Sequence, residues 1–290
     1  MKVCVGLMGV ESFLGGDIAR VTEFAQWCEK KGVDQLSAVD HVIMSEATGK
    51  YPYGTFPSGM AQPWYEPLTL LAAIAAATRR IRLSTGILIT PLRHAIFLAK
   101  QVATLDQLSR GRVDLGVGVG WQEEEYLAAG VPWDGRFGYM MEQLEVCKAL
   151  WTQAPASHKG KTWQFENMHS QPQPVQKHLP LWFGVAPTER NIERIGRLGD
   201  GWLPMTDDAA ELADGIGRMK AAMAKHGREP AGFEVRLTLR GKTLDEAFGR
   251  VPAAARAGVT MVSLIPTFFG AAERDLESLI DRLVACKSAA

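Results

Sequence analysis

Eight short apolar runs, each followed by a stretch of helical periodicity, constrain this chain more than any other feature. The runs are VCVGLMG (3–9), DQLSAVD (34–40), IRLSTGILI (81–89), VDLGVGV (113–119), LPLWFGV (179–185), GWLPM (201–205), FEVRLTL (233–239) and VTMVSLIP (259–266). Helical patterns follow them at 18–32, 66–78, 95–109, 122–129 with 138–152, 188–198, 208–226, 244–257 and 271–286. Strands alternating with helices make right-handed βαβ units and a parallel sheet. Eight such units in 290 residues fit one closed (β/α)8 TIM barrel, a single domain spanning 1–290. The competing arrangement, a doubly wound open sheet, carries a glycine fingerprint for phosphates after its first strand. Here that turn reads GVESFLGGD, which does not match. Residues 153–178 are rich in Gln, Pro, Lys and His and lack periodicity, so they are expected to be an inserted excursion after the fourth βα unit.

Composition narrows the partners. Thirty-two basic residues balance 32 acidic ones, so the chain as a whole has no basic footprint for nucleic acid or anionic lipid. The apolar run at 68–77 is too short to span a bilayer, and MKVCVGLMGVE reads as a first core strand rather than a leader. Cys4, Cys28, Cys147 and Cys286 lack metal-ligand spacing and read as reduced thiols of a cytoplasmic protein. Glu123, Glu124 and Glu125 read as the start of a solvated helix face.

In such a barrel the chemistry gathers at the C-terminal ends of the strands. That rule brings together Asp40 and His41 after strand two, and Thr85, Gly86 and Ile87 late in strand three. It adds Gly116, Gly118, Gly120 and Trp121 after strand four, and Gly184, Val185, Ala186 and Thr188 after strand five. Glycine inside a strand marks a bulge or the close approach of a ligand, and Gly86 fits either. His41 can move a proton near neutral pH or simply anchor a loop, and Asp40 can orient it or hold the strand end. Gly118 and Gly120 either let the wall pack or let a ligand reach backbone. Trp121 is a pocket wall or a core aromatic. The segment 184–190 suits an anion at a helix start, although Thr188 also suits a plain N-cap. Arg93 binds an acidic group or pairs within the barrel mouth. Tyr51, Tyr53, Phe56 and Trp64 give loop 41–65 the makings of an aromatic-lined pocket. With only Asp40, His41 and Glu11 at strand ends, no metal site is expected.

The segments VDHV (39–42), STGILITPLRHAIFLAKQVATLDQLSRGR (84–112), VGVGWQEEEY (117–126) and LGDGWLP (198–204) carry a resemblance. The chain resembles the bacterial luciferase-like flavin and deazaflavin oxidoreductases over nearly its whole length, and most closely the subgroup that uses coenzyme F420. The resemblance implies a non-proline cis peptide at Gly86–Ile87 that supports the middle of the ring. It places His41 near the ring's reactive edge and implies a homodimer by family habit. It implies an oxidoreductase that moves a hydride between F420 and a small organic substrate. The alternative is an FMN-dependent monooxygenase, in which reduced flavin reacts with oxygen. A third reading, a cofactor-binding protein without turnover, draws on departures from the family pattern at Ala95, Trp121 and Val185.

Overall fold

The computed structural model describes residues 1–290 except 53, 54, 57, 58, 61, 272, 289 and 290. Tyr53, expected in the aromatic loop, lies outside the described residues. The first half of the chain runs β1 (Lys2–Gly6), α1 (Val21–Lys31), β2 (Gln35–Ala38), α2 (Pro67–Ala77), β3 (Arg82–Thr85), β4 (Leu88–Ile89), α3 (Ala95–Ser109), β5 (Val113–Gly118), α4 (Glu123–Ala128) and α5 (Arg136–Thr152). The hairpin β6 (Ala156–Lys159) with β7 (Gln164–Met168) follows. The second half is β8 (Leu181–Phe183), α6 (Glu189–Leu198), β9 (Gly201–Trp202), α7 (Ala209–Lys225), β10 (Glu234–Thr238), α8 (Leu244–Gly249), α9 (Val251–Arg256), β11 (Met261–Leu264) and α10 (Leu276–Ala285).

The parallel strands pair in the order β3, β2, β1, β11, β10, β9, β8, β5, and β3 pairs with β5 to close the ring. The expected TIM barrel is therefore the fold, with β3 and β4 as two pieces of one interrupted third strand. Between those pieces the Gly86–Ile87 peptide is cis. The excursion at 153–178 is not wholly irregular: it contains the antiparallel β6–β7 pair. Two other expectations need adjustment. The helix expected over 244–257 is broken at Arg250 into α8 and α9. The reason is Pro252, which has no N–H to donate and whose ring crowds the preceding turn. The last helix begins at Leu276 rather than at 271, after a short 3-10 turn at Glu273–Asp275.

Alternation along the strands divides their side chains into two sets. Val3, Val5, Leu36, Leu83, Val113, Leu115, Val117, Val235, Leu237, Val262 and Leu264 share one apolar core with the helices. The other set faces the barrel interior, where Cys4, Trp182, Leu203 and Met261 form a small separate cluster with Ile87 against it. This interior also holds charge, although TIM-barrel interiors are usually filled by branched apolar residues. Arg82 grips Asp114 through Nε (2.7 Å) and Nη2 (2.5 Å). Gln35 Nε2 donates to Asp114 Oδ2 at 2.7 Å, and Gln35 Oε1 accepts from Arg236 Nη1. A polar chain thus crosses the barrel from Arg82 to Arg236.

Two glycines show how tightly the wall is packed. A Cβ on Gly116 would stand 1.9 Å from the Thr85 carbonyl oxygen, whereas one on Gly217, in the middle of α7, would meet nothing within 4 Å. Gly116→Ala is expected to lower unfolding free energy by about 1–3 kcal/mol through overpacking. Gly217→Ala is expected to raise it by roughly 0.5–1 kcal/mol, because alanine loses less backbone freedom on folding. Urea denaturation of the two variants measures both, and opposite signs are the outcome the packing requires.

Candidate active site

Strand β2 ends in two polar residues that go separate ways. Asp40 Oδ2 accepts the Ile89 N–H at 2.8 Å, and both of its oxygens receive Arg93, at 2.6 and 3.0 Å. Arg93 Nη2 also reaches Glu66 Oε1 at 3.0 Å. Burial pushes the Asp40 carboxyl up, against the pull of Arg93 and the Ile89 N–H. Burial works against the Arg93 charge as well, but its bonds to Asp40 and Glu66 win and raise it. Asp40 is therefore the tie between β2, β4 and the segment entering α3. Arg93 pairs within the barrel mouth, one of the two roles its sequence position allowed.

His41 turns instead to α4. Its Nδ1 lies 3.0 Å from Glu125 Oε2. Glu125 Oε1 accepts the Val42 N–H at 2.6 Å and the Ile43 N–H at 3.4 Å. Glu125 is 1% exposed and His41 9%. The expectation that Glu123–Glu125 form a solvated face fails at its third residue. A carboxylate buried against a loop start is stable there because backbone N–H groups and an imidazole satisfy it. The group that orients His41 is thus Glu125 and not Asp40. One turn earlier, Gln122 Oε1 accepts the Ser45 N–H while its Nε2 donates to the Ser45 carbonyl, at 2.8 and 2.9 Å. Helix α4 therefore sews down the loop that follows β2.

Aromatic rings surround the histidine. Centroids of Trp64, Trp121 and Phe56 lie 4.7, 5.8 and 6.2 Å from the imidazole, and Tyr51 is 5.2 Å from Trp121. Burial raises the Tyr51 phenol, and nearby Arg240 opposes that shift. His41, Trp64 and Trp121 share a cavity of about 360 Å³ with Gly86, Ile87, Gly120, Gly184, Val185 and Ala186. Among the described residues His41 Nε2 has no hydrogen-bond partner. With Nδ1 committed to Glu125, Nε2 is the ring nitrogen left for a ligand.

Other expected site residues stand behind this surface. Thr85 is buried and donates through Oγ1 to the Gly116 carbonyl at 2.6 Å. Gly116 is wall packing, and Gly118 packs against the side chain of Ile87, where a Cβ would come within 3.0 Å. Thr188 Oγ1 accepts the Asn191 N–H at 3.3 Å, the N-cap of α6. Gly86 answers its own question from the interior side. A Cβ there would fall 2.5 Å from Ser37 Oγ and 2.6 Å from Arg236 Nη2.

Sequence reasoning missed Glu125, and it missed three arginines of the cavity lining. Arg136, Arg236 and Arg240 all border the same space. Arg136 follows Gly135 at the start of α5, stacks on Trp133 at 3.4 Å, and keeps a buried Nε without a partner. A planar, phosphate-bearing ring fits what is present. The cavity presents backbone without side chains at Gly86, Gly120 and Gly184, and a Cβ on Gly184 would collide with Ile87 Cγ2 at 2.3 Å. The orphan Arg136 Nε offers the cation a phosphate needs. Asn191, near the start of α6, borders the same cavity. All four cysteines are free and buried, and among the described residues no cluster of His, Cys, Asp or Glu could hold a metal ion. No helix among them is long and apolar enough to cross a membrane.

Comparison with known proteins agrees with the fold. An uncharacterised protein of Mycobacterium tuberculosis (strain ATCC 25618 / H37Rv) is 36% identical over 223 residues, covering 76% of this chain and 75% of its own. The FMNH2-dependent dimethylsulfone monooxygenase of Pseudomonas putida is 28% identical over 166 residues, 56% of this chain and 46% of that one. The solved coenzyme F420-dependent tetrahydromethanopterin reductase of Methanopyrus kandleri superposes with a TM-score of 0.75 at 15% identity, covering 98% of each chain. Residues 5–269 match the luciferase-like monooxygenase family, and the chain belongs to it.

Proposed function

We propose that this chain is a cytoplasmic, single-domain oxidoreductase that moves a hydride between coenzyme F420 and a small organic substrate at the C-terminal face of its barrel. The observation that carries the reading is the pairing of His41 with Glu125 on the wall of a cavity floored by Gly86–Ile87. The resemblance of segments 39–42, 84–112, 117–126 and 198–204 to the F420-using subgroup supports the deazaflavin. The match to an FMNH2-dependent relative keeps an FMN monooxygenase as the second reading.

When bound, the cofactor supplies the ring carbon that gives or takes the hydride. Everything else falls to the protein. Gly86, Ile87 and Gly184 offer backbone and one aliphatic side chain as the seat of the ring, and Arg136 and Asn191, on the same lining, would hold its phosphate. Trp64, Trp121, Phe56 and Tyr51 exclude water from the substrate. Glu125 holds the proton of neutral His41 on Nδ1, which leaves Nε2 as the atom that accepts a proton from a substrate hydroxyl or returns one to a carbonyl. The residues that depart from the family pattern do not empty the site: Val185 still borders the cavity through its segment, and Trp121 walls it.

Titration of the purified protein with F420 and with FMN, followed by fluorescence, tests the cofactor. Tighter binding of F420 is expected. Preference for FMN, with oxygen consumed once the flavin is reduced, would transfer the assignment to the monooxygenase reading, and binding of neither would end both. His41→Asn is expected to cut turnover about 10²–10⁴-fold, the usual worth of a positioned acid–base group, with cofactor affinity retained. Unchanged turnover in this variant would remove His41 from the chemistry.

Glu125→Gln separates orientation from mere packing. The amide is expected to leave the barrel folded and to lower turnover by at least roughly tenfold. Nitrogen NMR of the ring reads its cause: with the amide oxygen kept by the Val42 and Ile43 N–H groups, the new NH2 donates to Nδ1, and the proton of the neutral His41 imidazole moves to Nε2. Retention of the Nδ1–H tautomer would mean that Glu125 does no more than anchor the Val42 and Ile43 amides.

A further inference from the structure

The interior chain of polar groups ends in a charge that the proposed chemistry has not used. Arg236 sits in the middle of β10, is 4% exposed, and still borders the cavity. Its partners are few for a guanidinium with five donors. Nη1 donates to Gln35 Oε1 and contacts Cys4 Sγ at 3.9 Å, and Nη2 reaches the Thr85 carbonyl at 3.4 Å. Trp182 lies alongside, its ring centroid 5.8 Å from Arg236 Cζ. Among the described residues no carboxylate stands within 4.0 Å of it, and the nearest link in the chain, Asp114, is already gripped by Arg82. Two arginines therefore share one carboxylate inside the barrel, and the uncompensated cation is the one at the cavity floor. Its Nη2 occupies the space where a side chain of residue 86 would begin.

A buried cation without a counter-ion is costly unless something in the working protein supplies negative charge. The Gly86–Ile87 backbone against which it lies is the same surface proposed above as the seat of the ring. A hydride arriving at that ring brings two electrons and one proton. The donor substrate is oxidised by two electrons, and the ring gains one unit of negative charge unless a second proton follows. A fixed guanidinium below the seat stabilises that charge, and the low dielectric of the interior strengthens the effect.

We propose that Arg236 is a positioning residue which makes the site bind the reduced, anionic ring more tightly than the oxidised one and so raises the bound cofactor's reduction potential. This rests on the cofactor reading above, and it adds a residue and a direction to it.

The test uses the full chain loaded anaerobically with F420 or FMN, each in its oxidised and its reduced form. Affinities for the two forms and the midpoint potential of the bound cofactor are measured against the free cofactor. Arg236→Met is expected to lose at least tenfold of the preference for the reduced form, equivalent to a fall of about 30 mV for a two-electron couple. Arg236→Lys keeps the charge and is expected to keep most of the preference. Asp114→Asn removes the only carboxylate of the interior chain and is expected to move the potential upward. Weakening both forms equally in Arg236→Met, with the potential unmoved, would show a purely structural arginine and overturn the proposal. Should that variant not fold, Asp114→Asn decides, since a potential that stays put or falls is equally fatal. A wild-type protein that binds neither cofactor in either form defeats the cofactor reading and this proposal together. Binding with potentials insensitive to residues 114 and 236 defeats this proposal alone.

Discussion

The structure depends on a charge placed where such barrels usually keep hydrocarbon. Arg236 and Arg82 enter the interior from β10 and β3, and Asp114 and Gln35 are the groups that make their presence tolerable. Removing an arginine from water is expensive, so its hydrogen bonds must be directed and its neighbours fixed. That requirement reaches the third strand directly. With Ser37 Oγ and Arg236 Nη2 already in place, residue 86 has no room for a Cβ, and the strand passes there as bare backbone. Leu88 and Ile89 then resume pairing with β5 beyond the interruption. The break in the strand, the glycine and the interior cation are one packing solution.

The two residues after β2 show how one turn can serve structure and chemistry at once. Asp40 reaches inward to the Ile89 amide and to Arg93, fixing the far side of the interrupted strand. His41 reaches the other way, to Glu125 on α4, so the two neighbouring side chains brace different walls of the cavity. Neither carboxylate is shared. The separation matters physically, because no hydrogen bond of the Asp40–Arg93 tie runs through His41 or Glu125. Here the mouth is held by an arginine that stays charged.

Much of this was legible in the sequence, and what was not has a common cause. The period of the apolar runs gave the barrel, and the position rule for strand ends gathered His41, Gly86, Trp121 and Gly184 on one face. The cis peptide at Gly86–Ile87 was reached only through the family resemblance; spacing alone allowed a plain bulge. The interior was invisible, since a pattern of alternate apolar residues says which set faces the helices and is silent on how the opposite set pairs across the barrel. Arg236 stands in the middle of FEVRLTL and Asp114 second in VDLGVGV, charged residues inside apolar strands. That placement was the available signal. Glu125 was misread for a similar reason. Three consecutive glutamates span about 200° around a helix, an arc that fits either a wholly solvated face or one with a single residue turned to the barrel. Which one did so depends on the Val42 and Ile43 amides, whose position is set by tertiary structure alone.

The cavity's chemistry is unevenly divided between rigid and local parts. Its floor is barrel backbone and interior arginine, fixed by contacts between strands distant in sequence. Its wall around His41 is made largely by Tyr51, Phe56 and Trp64 from the single stretch between β2 and α2, with Trp121 from the end of β5. Substitution in the first set disturbs neighbouring strands at once: a Cβ on Gly184 would meet Ile87 Cγ2 at 2.3 Å. Substitution in the second changes shape and polarity beside His41 without touching a strand. Under the proposed function, such a division would let the substrate change more easily than the cofactor.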